Sequence, residues 1–486
     1  MSEVTAPLHT AQAPVAQISA PVEQDTRPAI DRSIRSVVTS LFATGVVWLL
    51  LSTLLSFVSA IKLQYPAFLN YSFLSYGRVT PAADFTLAYG WSALGLIGVA
   101  IWVLMRLSKR VAIGKGIACL GVGLWNLGLL IGTVSILVGE MRPFNGLEMP
   151  LSSAVLIFAG FSLVALWILL SLRVTESGLS IGALFIVGGL LWFGWSFLTG
   201  NLLTSCPSMR GATEQVIATW VSHGFIWLFL APVALGVAYF LIPKVTGQPL
   251  YSGPLGRICF WLYFLVGGLT CMTGLSGGPI PLWLQSVSAA ATILLLVPVA
   301  GSVFNLLTTA SSSPLTKVSP AANFTRFGLV VFVSAAALSA ISSFRSVSFA
   351  VHFTLFPMGV KLLLLQGFVG MVVFGAIYFI MPRLSGCEWI SSSLIKIHFL
   401  CAAYGAAMGG AMLVLSGTFA GIDLADSGVA FSQSMQSSAF FYWGRTLSFA
   451  LLGIAYAAFT LHFLLMVFRI GQPEGEATLL KGSHGH

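Results

Sequence analysis

The stretch VIATWVSHGFIWLFLAPVALGVAYFLI, from Val216 to Ile242, runs for 27 residues without an Asp, Glu, Lys or Arg. About 20 apolar residues in a helix cross the roughly 30 Å hydrocarbon layer of a bilayer. This run is apolar on every side, so it has no polar face to turn towards water. It therefore reads as a membrane span, ended by Pro243-Lys244. Outward from it, similar runs fall at about 37–61, 85–105, 112–138, 152–172, 179–199, 256–277, 281–308, 327–344, 352–381, 394–419 and 440–468. With the quoted run they make twelve. The fold expected is an all-α polytopic membrane bundle.

Composition agrees, with 57% hydrophobic and only 8% charged residues among 486. A soluble chain carries about a quarter charged residues. The net charge of +9 comes from basic residues scattered singly through short loops, which marks membrane topology and not a nucleic-acid surface. Six cysteines lie far apart with no Cys-x-x-Cys, so neither a zinc knuckle nor covalent haem attachment is encoded, and they read as small buried apolar residues.

Residues 1–35, rich in Ala, Pro, Thr and Gln, read as a disordered cytoplasmic tail without a signal-peptide core. Residues 36–470 form the membrane domain, and 471–486 a short polar tail in which His484 and His486 read as solvated. Placing the N-terminus inside puts sixteen Lys and Arg on the cytoplasmic loops. It leaves six on the other side, at Lys62, Arg78, Arg142, Arg210, Arg345 and Arg445. Both ends are then expected in the cytoplasm of a bacterial inner membrane. Glu140, Glu148, Asp423 and Asp426 are expected in solvated outer loops. The spacings Gly128-x-x-x-Gly132 and Gly405-x-x-x-Gly409 permit close helix approach, but among fifty glycines they are expected by chance.

Three further stretches carry a family resemblance. One is Tyr76-Gly77-Arg78-Val79-Thr80-Pro81-Ala82-Ala83-Asp84, opening span two. Another is Trp220-Val221-Ser222-His223 running through Tyr239 to Pro243-Lys244, followed by Tyr251-Ser252, Phe260-Trp261 and Trp283-Leu284-Gln285. The last is Phe353-Thr354, then Gly375-Ala376-Ile377-Tyr378 and Pro382-Arg383-Leu384. In this order they resemble the catalytic subunit (subunit I) of the heme-copper oxidases, of the cbb3-type cytochrome c oxidase.

The resemblance implies twelve spans, haem b and copper as cofactors, and respiratory partner subunits, some of cytochrome c type. It also implies where histidines should stand. A haem ligand is expected in span two, copper ligands in spans six and seven, and a His-x-His in span ten serving both haems. Residues two apart on a helix point about 200° apart, so one helix can face two haems. Imidazole nitrogen suits both metals.

In this chain the span-two position is Ala83, the span-ten pair is Val360 and Leu362, and the copper pair is Thr273 and Gly274. The family's tyrosine position falls on Gly267, and only His223 keeps its histidine. Five of six ligands are absent, so no haem or copper is expected and His223 is read as a hydrogen-bonded remnant. His352, His398 and His462 are read as polar residues near span ends.

The function expected is a subunit I-like membrane protein of a respiratory electron-transfer complex, non-catalytic or scaffolding. A working oxidase subunit with other haem ligands is the alternative, and a secondary transporter the second alternative. Lys361 lies between the lost span-ten positions and Asp84 adjoins the lost span-two position. Charges inside apolar spans are costly, so these two are expected to form a buried ion pair, worth about 3–5 kcal/mol if one partner is neutralised.

Overall fold

The structure is a computed structural model describing residues 26–171, 179–278, 280–314 and 319–470. The His484 and His486 reading, most of the N-terminal tail and the tail from 471 lie outside the described residues. Among the described residues, twelve helices are long and apolar enough to cross a membrane. They are α1 (Arg27–Lys62), α2 (Tyr76–Ser108), α3 (Lys115–Val138), α4 (Leu151–Ser171), α5 (Ile181–Thr204) and α6 (Ala212–Thr246). After them come α7 (Gly253–Leu275), α8 (Leu282–Ser311), α9 (Pro320–Ser342), α10 (Phe356–Ser385), α11 (Ser392–Ala425) and α12 (Ala439–Val467).

Helix α1 begins at Arg27, ahead of the expected boundary near 36. Pro28 in its first turn supplies a preset helical φ. Asp31 fixes this polar start to α2, accepting from Arg106 Nε at 2.8 Å and from Trp102 Nε1 at 3.1 Å. Apolarity alone could not reveal these turns, because they are held by polar contacts.

Helices α2, α6 and α10 run through the middle of the bundle and touch one another. Their most apolar windows are 100%, 89% and 100% buried, against 39–56% for the other nine. Each of the three contains a stretch of wider π-turns: Thr86–Ser92, Phe225–Leu230 and Leu363–Gly370. Such turns reset the side-chain register within a helix and recur at functional sites.

The two glycine spacings do permit close helix approach. A Cβ on Gly128 would lie 2.9 Å from the Ile157 side chain and 3.0 Å from the Ser153 carbonyl on α4. Ser448 on α12 donates to the Gly405 carbonyl at 2.7 Å. In apolar surroundings this close approach supplies the dispersion contact that holds helices together. The cysteine reading holds for Cys259, Cys271 and Cys387, whereas Cys119 is exposed on the flank of α3.

Candidate functional site

The three central helices, with α7, α8 and α9, line a cavity of about 390 Å³ towards the end of the bundle that carries the α1–α2 and α3–α4 loops. Each π-turn stretch lends it a wall, through Tyr89, Trp227 and Leu364 among others. The cavity collects His223, Thr273, Gly274, Val360, Lys361 and Asp84 from the sequence-selected residues. Ala83 and Leu362 do not reach it. They line a separate void of about 30 Å³ between α1, α2, α10 and α12. Asp84 and Lys361 line both spaces, so the pair stands as the partition between them.

Lys361 Nζ donates to Asp84 Oδ2 at 2.8 Å. The two side chains keep 22% and 31% exposure and line both interior spaces, so the pair is not packed in apolar core.

His223 Nε2 lies 2.9 Å from Thr270 Oγ1. The single hydroxyl proton of Thr270 is already donated to the Gly267 carbonyl at 2.8 Å. His223 must therefore donate, which fixes the proton on Nε2 and leaves the lone pair on Nδ1.

The α3–α4 loop closes over the cavity. Arg142 donates from Nε to the Met149 carbonyl at 2.7 Å and from Nη2 to Asn201 Oδ1 at 2.8 Å. Tyr89 hydroxyl donates to the Gly146 carbonyl at 3.0 Å, and the Gly146 N–H donates to Glu148 Oε1 at 2.8 Å. Glu148 thus lines the cavity, which corrects its reading as a solvated loop residue. Burial raises its carboxyl above the ordinary carboxylate range, an effect that Lys361 and the Gly146 N–H oppose. Phe144, Leu147 and Met149 anchor the loop by burying themselves. Large apolar residues at 144, 147 and 149 of a supposed outer loop were the signal that it folds inward.

Two other corrections concern single residues. Arg445, counted on the outer side at the start of span twelve, is 1% exposed inside α12. His398 and His462 are fully buried, although each is near a helix end. His398 Nδ1 sits 2.8 Å from the Tyr378 hydroxyl, and His462 Nε2 accepts from the Ser391 N–H at 3.4 Å. His352, by contrast, lies in the α9–α10 connection and borders the cavity. Burial lowers its imidazole below its ordinary value.

Architecture and site together define a class: a twelve-span helical membrane protein with a central cavity lined by spans two, six and ten together with spans seven to nine. Residues 36–451 match the family of cytochrome c and quinol oxidase polypeptide I, and the chain belongs to that family. It is 23% identical over 390 residues to the cbb3-type cytochrome c oxidase subunit CcoN1 of Stutzerimonas stutzeri, covering 78% of this chain and 82% of that one. It is 22% identical over 415 residues to cytochrome c oxidase subunit 1 of Rhodobacter capsulatus, covering 82% and 78%. A heme-copper terminal oxidase dimer solved by cryo-EM shares the fold. The TM-score is 0.74 at 13% identity, with 92% of this chain and 86% of that chain covered.

The residues present do not fit the family's metal groups. Ala83, Val360, Leu362 and Gly274 offer no side-chain donor atom, and Thr273 offers only a hydroxyl. His223 has its Nε2 committed to Thr270, and its Nδ1 lone pair is a single imidazole donor where the family's copper takes three. The void between Ala83 and Leu362 is about an order of magnitude smaller than the 300 Å³ or more of cofactor pockets. Among the described residues no three His, Cys, Asp or Glu cluster as a metal-binding group.

Proposed function

We propose that this chain is a non-redox subunit I homologue that serves as a scaffold or partner-binding subunit of a respiratory membrane complex. The observation that carries this reading is the pairing of Asp84 with Lys361 at 2.8 Å between the lost ligand positions. The ion pair occupies the ground between Ala83 and Leu362 on one side and Val360, Thr273 and Gly274 on the other. The helix scaffold and its loops persist while the donor set is replaced. The relatives bear the names of oxidase subunits, which supports a place among partner subunits, including ones of cytochrome c type.

The basic residues support an inner-membrane orientation with the segments before α1 and after α12 in the cytoplasm, and the cavity end facing outward. Gentle detergent extraction followed by mass spectrometry tests the subunit role. Co-purification with respiratory membrane subunits is expected. A single species that drives solute uptake in liposomes would favour the transporter reading, for which the 390 Å³ cavity is the supporting observation.

A further inference from the structure

The small void beside Leu362 is bordered by an arginine that forms no ion pair among the described residues. Arg445 is 1% exposed, and its Nε and Nη1 have no hydrogen-bond partner among the described residues. Its remaining nitrogen, Nη2, reaches Ser59 Oγ only at 3.4 Å, a long contact. The ring of Phe449 lies 5.6 Å from the guanidinium carbon, at the outer limit of a cation–π contact.

A buried guanidinium with two idle donors is costly in a membrane interior. The void it borders is also lined by Ser56, Ser59, Thr80, Asp84 and Lys361. Ser59 and Thr80 hydroxyls are 2.7 Å apart, so they are held together at its edge. Lys361 is neutralised by Asp84 at 2.8 Å. The charged residues around the void therefore leave one positive charge over, that of Arg445.

We infer that this void is a site for one chloride-sized monovalent anion. A water there would satisfy donors but leave the charge standing, whereas an anion does both. The space of about 30 Å³ is roughly two water-sized probes, enough for a halide and too small for phosphate. Entry from the large cavity passes the Asp84–Lys361 partition, since those two residues alone border both spaces. The inference rests on the proposed function in one respect, that no haem occupies this space.

The test uses the full chain purified into sodium gluconate, with thermal unfolding followed as sodium chloride or sodium bromide replaces gluconate at constant sodium. A saturable rise in Tm with both halides is expected, with bromide located by anomalous scattering or by density beside Arg445. Arg445→Gln should weaken the apparent halide affinity by about tenfold or more, since a charge-assisted bond is lost. Asp84→Asn should strengthen it, because it removes the negative charge from the rim. If Arg445→Gln does not fold, the wild-type salt series and Thr80→Val, which keeps every charge, carry the decision. Equal Tm in the three salts, or bromide bound only elsewhere, would overturn the site in haem-free protein. A stoichiometric haem in the same preparation would instead overturn the proposed function, so the two failures are distinguishable.

Discussion

Neutralising one member of the Asp84–Lys361 pair should leave the other as a lone charge between the two interior spaces. Across 2.8 Å, at an effective dielectric constant near 20, the Coulomb attraction is about 6 kcal/mol before desolvation is subtracted. Breaking a fully buried pair costs about 3–5 kcal/mol, and an exposed one below about 1 kcal/mol. These side chains keep 31% and 22% exposure, so an intermediate loss of about 2–3 kcal/mol is expected for Asp84→Asn or Lys361→Met alone. The double variant should recover about 1–2 kcal/mol relative to additivity, because it leaves no orphan charge. Reversible unfolding in mixed detergent and SDS would measure all four corners of the cycle. Additivity within about 0.5 kcal/mol would show that the two charges do not interact, and would refute the partition.

Three further outcomes follow from named contacts. Burial raises the Glu148 carboxyl from its ordinary 4.5, so the folded state holds that proton more tightly than the unfolded chain does. The stabilisation is complete below pH 4.5 and is lost as pH rises through the folded value. Glu148→Gln should therefore gain on wild type as pH climbs through that range, measured as Tm against pH. Gly128→Val should cost about 1–3 kcal/mol by driving a side chain into Ile157 and the Ser153 carbonyl. Gly123→Ala, where nothing lies within 4 Å, should be neutral or stabilising by chemical denaturation. Reporter fusions in the α6–α7 loop should read cytoplasmic and those in the α9–α10 connection external. The reverse pattern would overturn the orientation.

The sequence shows its fold plainly because membrane spans advertise themselves by composition. The twelve apolar runs and the family match needed no tertiary information. The adjacency of Asp84 and Lys361 could not be read from spacing across 277 residues. It depended on α2 facing α10, which the resemblance implied. Arg445 escaped because one arginine in the second turn of an apolar run looks like an outer topology marker. Only the packing of α1 and α12 around Ser59 shows it enclosed. Glu148 escaped because hydropathy judges a loop by its polar residues, while Phe144, Leu147 and Met149 decide where this loop goes. The burial of His398 and His462 escaped for a related reason. Nearness to a helix end is a statement along the chain, but burial at that end is set by Trp389 and Phe459 from neighbouring segments. The π-turns in the three central helices left no periodic trace either, since each lies in a stretch that is apolar on every side.

The central claim is that replacement of the ligand positions has removed the family's redox centres from this chain. Its most direct test is the optical spectrum of the purified protein, oxidised and reduced, with haem quantified as the pyridine hemochrome against protein concentration. A chain without the ligand set should show no stoichiometric Soret band and no reduced α-band of its own. One or more haems per chain, retained through purification without partner subunits, would contradict it.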